Sequence, residues 1–265
     1  MINDRQPVLL DDRDDFCEWL VYFHVNAADV GDVKVEVLRM ARYLRMNAFL
    51  IEYPGYGLFD GKASKDNIEK AARQALKWLR VKYEVESSNV LLVGKSIGTG
   101  IAARIAKEMT KAGTPPMGLV LQAGFSSIRK VINDFVPCAG SLLVANFWKN
   151  YQTVEFLNDC RVPVLIVHGT HDEIVGFKHA KIITKCNPDI LYPLEGVDHN
   201  NWTGEENIVP IHEFVTAIRD YRSRRGTAAI HKKLRKKCFA CRQPRNSSDD
   251  DDDEYMTYIY YTETH

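Results

Sequence analysis

Long hydrophobic runs are missing from this chain of 265 residues: none exceeds a few positions, so no segment reads as a bilayer span. Cysteines are few and scattered, at Cys17, Cys138, Cys160, Cys186, Cys238 and Cys241. That spacing excludes a small disulfide scaffold and leaves reduced thiols in the cytosol as the simplest account. The stretch from Met1 to Pro7 lacks the basic flank and apolar core of a secretory signal. Net charge is absent as well, with 35 basic residues against 35 acidic ones. The balance conceals segregation, however. Ten basic and no acidic residues lie between Arg222 and Arg245, and Asp249 to Glu254 are all acidic. Blocks of like charge repel themselves and seldom pack.

What the chain does contain is 45% hydrophobic and 10% aromatic residues, enough for a large core and too much for a wholly disordered chain. We therefore expect one folded domain over residues 1–224 and a basic-then-acidic disordered tail over 225–265.

Short apolar runs punctuate that domain at Trp19–Phe23, Phe49–Ile51, Val90–Val93, Leu119–Leu121, Val164–Val167 and Ile190–Tyr192. Most are apolar throughout, as strands covered on both faces should be. Between them, helical spacing aligns Val33, Val37, Ala41 and Leu44, then Ile68, Ala72, Leu76 and Leu79. The same spacing returns at Ile97, Ile101, Ile105 and Met109, and at Ile211, Phe214, Val215 and Ile218. This alternation predicts an α/β fold of about six mainly parallel strands flanked by helices. One interval, about 125–155, is longer than a simple crossover needs. It reads either as an ordinary crossover with an extra core helix or as a short cap lining a substrate groove.

The sharpest motif is Gly94-Lys95-Ser96-Ile97-Gly98, lying between an apolar run and a helical pattern. A serine on a tight strand-to-helix turn, an elbow, needs small neighbours, because its backbone is forced into a strained conformation. A serine hydroxyl is a poor nucleophile without a base, and the base needs an orienting acid. In this strand–turn–helix setting the partners follow in the order acid, then histidine, at the tips of later strands. Asp172 stands just past Val164–Val167, and His199 just past the run near Ile190. Asp198 is a rival acid, although a sequence neighbour on a turn usually points away from the imidazole. His24, His168, His171, His179, His212 and His231 read as structural. An oxyanion hole needs two backbone N–H groups. Ile97, after the serine, should supply one, and Asn26, in the loop after Phe23, the other. No metal or organic cofactor is required.

With these residues in hand, the chain resembles an α/β-hydrolase, and within that superfamily the α/β-hydrolase domain-containing protein 17 group of protein depalmitoylases. The resemblance rests on residues 24–31, 52–57 with Gly61, 94–100, 162–175 and 196–200, and spans roughly 15–220. It implies a cytosol-facing serine hydrolase that cleaves thioesters between cysteine and a long acyl chain, acting on an acylated protein or a lipid-like ester. Three departures stand out. Val25 occupies a glycine position of the family's loop; a β-branched residue avoids φ > 0 and its side chain would crowd an approaching carbonyl, and an oxyanion donor displaced in this way would lower kcat on the order of 10²–10³. The family's first two strands have only about fifteen residues to occupy here, which would leave Phe49–Ile51 as an open edge, and a truncated sequence accounts for this as readily as real loss. The family's amino-terminal cysteine cluster for lipid attachment is absent.

The tail offers a substitute anchor, because Cys238 and Cys241 adjoin the basic run from Lys232 to Lys237. An acyl chain beside a polybasic patch holds a membrane stably, so we expect a cytoplasmic protein with peripheral membrane contact through S-acylation there. A zinc site would need a second cysteine pair nearby. Nucleic acid is not expected as a partner, since the adjoining acidic run competes for the same charges. Two other functions fit the same motifs: an esterase or lipase of small acyl substrates, and a catalytically impaired scaffold that binds partners.

Overall fold

The computed structural model describes residues 16–135, 153–158, 160, 162–186, 190–202 and 205–224. Six strands form one sheet: β1 (Trp19–Phe23), β2 (Asn47–Ile51), β3 (Val90–Lys95), β4 (Gly118–Gln122), β5 (Val164–Gly169) and β6 (Ile190–Leu194). Seven helices connect or follow them among the described residues: α1 (Val30–Leu44), α2 (Lys65–Tyr83), α3 (Ile97–Lys111), α4 (Ile128–Phe135), α5 (Thr153–Asn158), α6 (Lys178–Cys186) and α7 (Glu205–Arg224). Every apolar run expected to be a strand is one. The sheet order is β2-β1-β3-β4-β5-β6, and all five pairings are parallel.

Both faces of the sheet are covered, which is why its strands carry apolar residues at consecutive positions. Trp19, Val21, Phe23, Val90 and Leu92 pack with Ile68, Leu76, Ile101 and Ile105 of α2 and α3. Leu20, Tyr22, Leu91 and Val93 face the other way, against Val33, Val37, Ile211 and Phe214 of α1 and α7. Helix ends follow local chemistry. Asp29 caps α1 in a reciprocal box with Asp32, its carboxylate accepting the Asp32 N–H at 3.0 Å. Ser64 caps α2 by accepting from the Asn67 N–H.

The chain runs from β1 outward to β2, then returns past β1 to build β3 through β6 in order. This reversal opens a crevice between β1 and β3, at the carboxyl ends of the strands, where ligands bind in open parallel sheets. Among the described residues β2 and β6 are the two edge strands, and β2 is the edge that the sequence leads one to expect. Of the expected cap at about 125–155, residues 125–135, with α4, and the start of α5 are described, while 136–152 lie outside the described residues. So do residues 1–15 and the tail 225–265, with Cys238 and Cys241.

Candidate active site

The strand tips set the site. Register pairs Phe23 with Ile51 and with Gly94, Lys95 with Gln122, and Gly169 with Leu194. The residues following those strands therefore rise to one rim. Ser96 leaves β3 with φ 53 and ψ −117, a strained backbone for a residue with a Cβ. Its surroundings allow no relief. A Cβ added at Gly94 would lie 2.4 Å from the Gly98 carbonyl oxygen, and one at Gly98 would lie 2.1 Å from that of Phe23. The turn is held by the Ser96 N–H donating to the Gln122 carbonyl at 2.9 Å and by Thr99 Oγ1 donating to the Ser96 carbonyl at 2.6 Å.

Against that turn the loop after β6 delivers His199, whose Nε2 lies 3.1 Å from Ser96 Oγ. His199 Nδ1 lies 2.8 Å from Asp172 Oδ2, in the loop after β5. Both His199 and Asp172 are buried. The other carboxylate oxygen, Oδ1, accepts the Ile174 N–H at 3.0 Å and the Val175 N–H at 2.7 Å, which fixes Oδ2 toward the imidazole. Burial pushes the Asp172 carboxyl up. Hydrogen bonding from His168 and His199, the His199 charge and the Val175 N–H outweigh it and hold the group well below the usual carboxylate range. Asp198 does not compete: its Oδ1 accepts the N–H groups of Asn200 and Asn201 at 2.7 and 2.8 Å, within its own turn.

Ile97 opens α3, so its N–H belongs to the unpaired end of the helix. The end of β1 presses on the same turn through the Phe23 and His24 carbonyls. Asn26 stands in the loop that follows, exposed, with Oδ1 accepting from Tyr56 Oη at 2.7 Å. Val25 is not among the residues with positive φ. The strain expected of a β-branched side chain there does not arise, because the loop takes an ordinary backbone at that position.

Two of the histidines read as structural brace the loops that build the site. His24 is buried, with Nε2 at 2.9 Å from Glu52 Oε1. Glu52 also accepts the Tyr53 N–H at 3.1 Å and, through Oε2, the Val30 N–H at 3.0 Å. Tyr53 stacks on the His24 ring with centroids 3.9 Å apart, and its hydroxyl donates to the His24 carbonyl at 3.0 Å. This brace ties both ends of the 24–30 loop to the tip of β2. The Phe23–Ile51 register foretells it: the next residue on each strand is polar, a histidine and a glutamate. His168, wholly buried, donates from Nε2 to the Val175 carbonyl at 2.6 Å and stands 3.5 Å from Asp172 Oδ2. It therefore supports the loop that carries the acid.

A cleft of about 720 Å³ lies between α2 and α3, lined by Leu76, Leu79, Val85, Ile105 and Met109 among others. It sits toward the amino ends of the strands and involves none of Ser96, Asp172 and His199. Among the described residues no group of three or more histidine, cysteine, aspartate or glutamate side chains could hold a metal ion. No described helix is long and apolar enough to cross a membrane.

Comparison with known proteins bears on the family and the fold. No family model matches the chain. Over 187 residues it is 29% identical to alpha/beta hydrolase domain-containing protein 17C of Xenopus laevis, covering 69% of this chain and 56% of that protein. The human protein of the same name is 28% identical over 69% of this chain and 53% of its own length. The chain thus spans about half the length of these relatives. Among solved structures, an alpha-beta hydrolase of Vibrio vulnificus superposes with a TM-score of 0.62 at 19% identity, covering 81% of this chain and 80% of that one. An esterase of Pyrococcus furiosus reaches 0.64 at 14% identity, over 80% and 89%. At these identities the structures show the fold alone, and that fold is the α/β-hydrolase fold. The resemblance to the protein 17 group is borne out by the curated relatives.

Proposed function

We propose that this chain, built on the α/β-hydrolase fold, is a serine hydrolase that cleaves ester or thioester bonds through an acyl-enzyme. The observation that carries the reading is the line from Ser96 Oγ through His199 to Asp172, at 3.1 and 2.8 Å, drawn from three separate strand tips. His199 takes the Ser96 proton as the hydroxyl oxygen attacks the carbonyl carbon. Asp172 holds the imidazole tautomer and steadies the imidazolium. The backbone N–H groups of Ile97 and Asn26 hold the oxyanion, Asn26 from a loop that Glu52 and His24 keep in place. His199 then passes its proton to the leaving thiolate or alkoxide. Water, deprotonated by the same histidine, finally attacks the acyl carbon and frees Ser96.

For the substrate, similarity to the protein 17 group supports a palmitoyl-protein thioesterase-like activity. The substrate would then be a long acyl chain on a cysteine of a protein, with peripheral membrane contact through the basic tail. Labelling with a fluorophosphonate, with Ser96→Ala as control, tests the chemistry: wild type reacts and the variant does not. Equal labelling of both, or of neither, removes the enzyme reading and leaves a scaffold. Acyl-chain profiling then tests the substrate, and a preference for short chains leaves a small-substrate esterase.

A further inference from the structure

Behind the elbow runs a circuit of polar side chains that the proposed reaction does not consume. Lys95, the last residue of β3, is buried, and its ammonium pairs with Glu36 Oε1 of α1 at 3.6 Å. The same oxygen accepts from Asn207 Nδ2 of α7 at 3.0 Å. Asn207 Oδ1 accepts from Gln122 Nε2 of β4. The Gln122 carbonyl accepts the Ser96 N–H at 2.9 Å, which returns the path to the residue beside Lys95. Two helices and two strands are thereby closed into a ring around the nucleophile.

One spur leaves this ring. Lys95 Nζ lies 5.1 Å from the centroid of the Trp202 ring, and Trp202 follows His199 by three residues in the same loop. Trp202 is buried, and its indole N–H has no acceptor among the described residues. No hydrogen bond there sets the orientation of its ring, so the cation on its face is the directional contact. Desolvation strengthens a contact of this kind over one exposed to water. The turn itself needs small residues at 94 and 98 and places no such demand on position 95. The neighbouring residues on this face of β3, Leu91 and Val93, are apolar. A charge here must be met by specific partners, and Glu36 and Trp202 are the ones in place.

We infer that Lys95 is a positioning residue: its ammonium, held by Glu36, seats Trp202 and so fixes the histidine loop against the elbow. Its effect on rate rests on the serine-hydrolase reading, whereas the seating of the loop does not.

The test uses the full chain with Lys95→Met, Lys95→Arg, Trp202→Leu, Trp202→Phe and the double variant Lys95→Met/Trp202→Leu. Hydrogen exchange of peptides covering 195–202 reads the seating. Fluorophosphonate labelling, separated into reversible binding and bond formation, reads the consequence. Lys95→Met and Trp202→Leu should each lower loop protection and slow bond formation about tenfold, less than the 10² that a misplacement of ~1 Å brings. Reversible binding should stay within about twofold of wild type, because the contact lies behind the reacting groups. Lys95→Arg and Trp202→Phe keep a cation and a ring, and should retain most of the rate. The double variant should be no slower than the slower single, since both remove one contact. Unchanged loop protection in Lys95→Met and Trp202→Leu, or multiplying effects in the double, overturns the proposal. A wild type that does not label defeats the hydrolase reading, and the exchange data still decide the contact. If Lys95→Met does not fold, Trp202→Leu and Trp202→Phe make the same comparison from the other side.

Discussion

Replacing Asp172 with asparagine changes one atom and, by the geometry, reverses the direction of a hydrogen bond. The carboxylate has two differently employed oxygens. Oδ1 accepts two backbone N–H groups, from Ile174 and Val175, so in the variant this position must remain an oxygen. The amide NH₂ is then forced into the place of Oδ2, 2.8 Å from His199 Nδ1. An NH₂ donates, so the ring must present an unprotonated Nδ1 and carry its hydrogen on Nε2. That hydrogen points at Ser96 Oγ, 3.1 Å away, and the serine loses its base. In the serine-protease triad the same exchange lowers kcat about 10⁴-fold, equivalent to roughly 5.5 kcal/mol of barrier. We expect a similar fall here in fluorophosphonate labelling and in hydrolysis of an acyl thioester. The assay compares wild type, Asp172→Asn and Ser96→Ala, with circular dichroism to verify folding. A folded Asp172→Asn that keeps more than a tenth of the wild-type rate would refute the assigned tautomer, and with it the role of the acid.

The same carboxylate predicts a pH effect on stability. Its folded pKa lies below the ordinary aspartate value of about 3.9, so its contribution is full above that value and lost as pH falls toward the folded one. Denaturant titrations of wild type and Asp172→Asn should therefore differ most near neutrality and converge in acid; a gap that widens in acid contradicts the sign. Ser96→Gly should be more stable than Ser96→Ala by about 1 kcal/mol, because φ 53 strains any residue with a Cβ; equal melting temperatures would deny the strain. Glu52→Gln leaves His24 and two backbone donors facing an amide, which should lower stability by about 3 kcal/mol; a shift below ~0.5 kcal/mol in denaturant unfolding would mean the brace is idle. Val25→Gly should change labelling by no more than about threefold, since Val25 has no positive φ to relieve; a gain of 10² would restore the crowding argument.

The strands were legible because a sheet covered on both sides writes continuous apolar runs, and each run from Trp19 to Ile190 became a strand. The elbow was legible because close backbone contact admits only glycine, as the distances at Gly94 and Gly98 explain. The positions of Ser96, Asp172 and His199 followed from strand order, since parallel topology brings successive tips to one rim. Other relationships were hidden for a physical reason. His24 and Glu52 meet only through the register of β1 with β2, and Lys95 meets Trp202 only through the packing of a distant loop. Neither pair leaves a periodic trace along the chain. The backbone strain expected at Val25 did not arise, because a family's glycine was equated with a left-handed backbone that this loop does not adopt.

In the proposed mechanism the acid and base arrive late along the chain: His199 lies 103 positions beyond Ser96, and Asp172 between them must already sit at the tip of its own strand. During synthesis, at roughly 5–20 residues per second, the serine emerges several seconds before anything can deprotonate it. On that mechanism a nascent or prematurely released chain would be inert, and reactivity toward an acyl group would report that the last parallel pairing has closed.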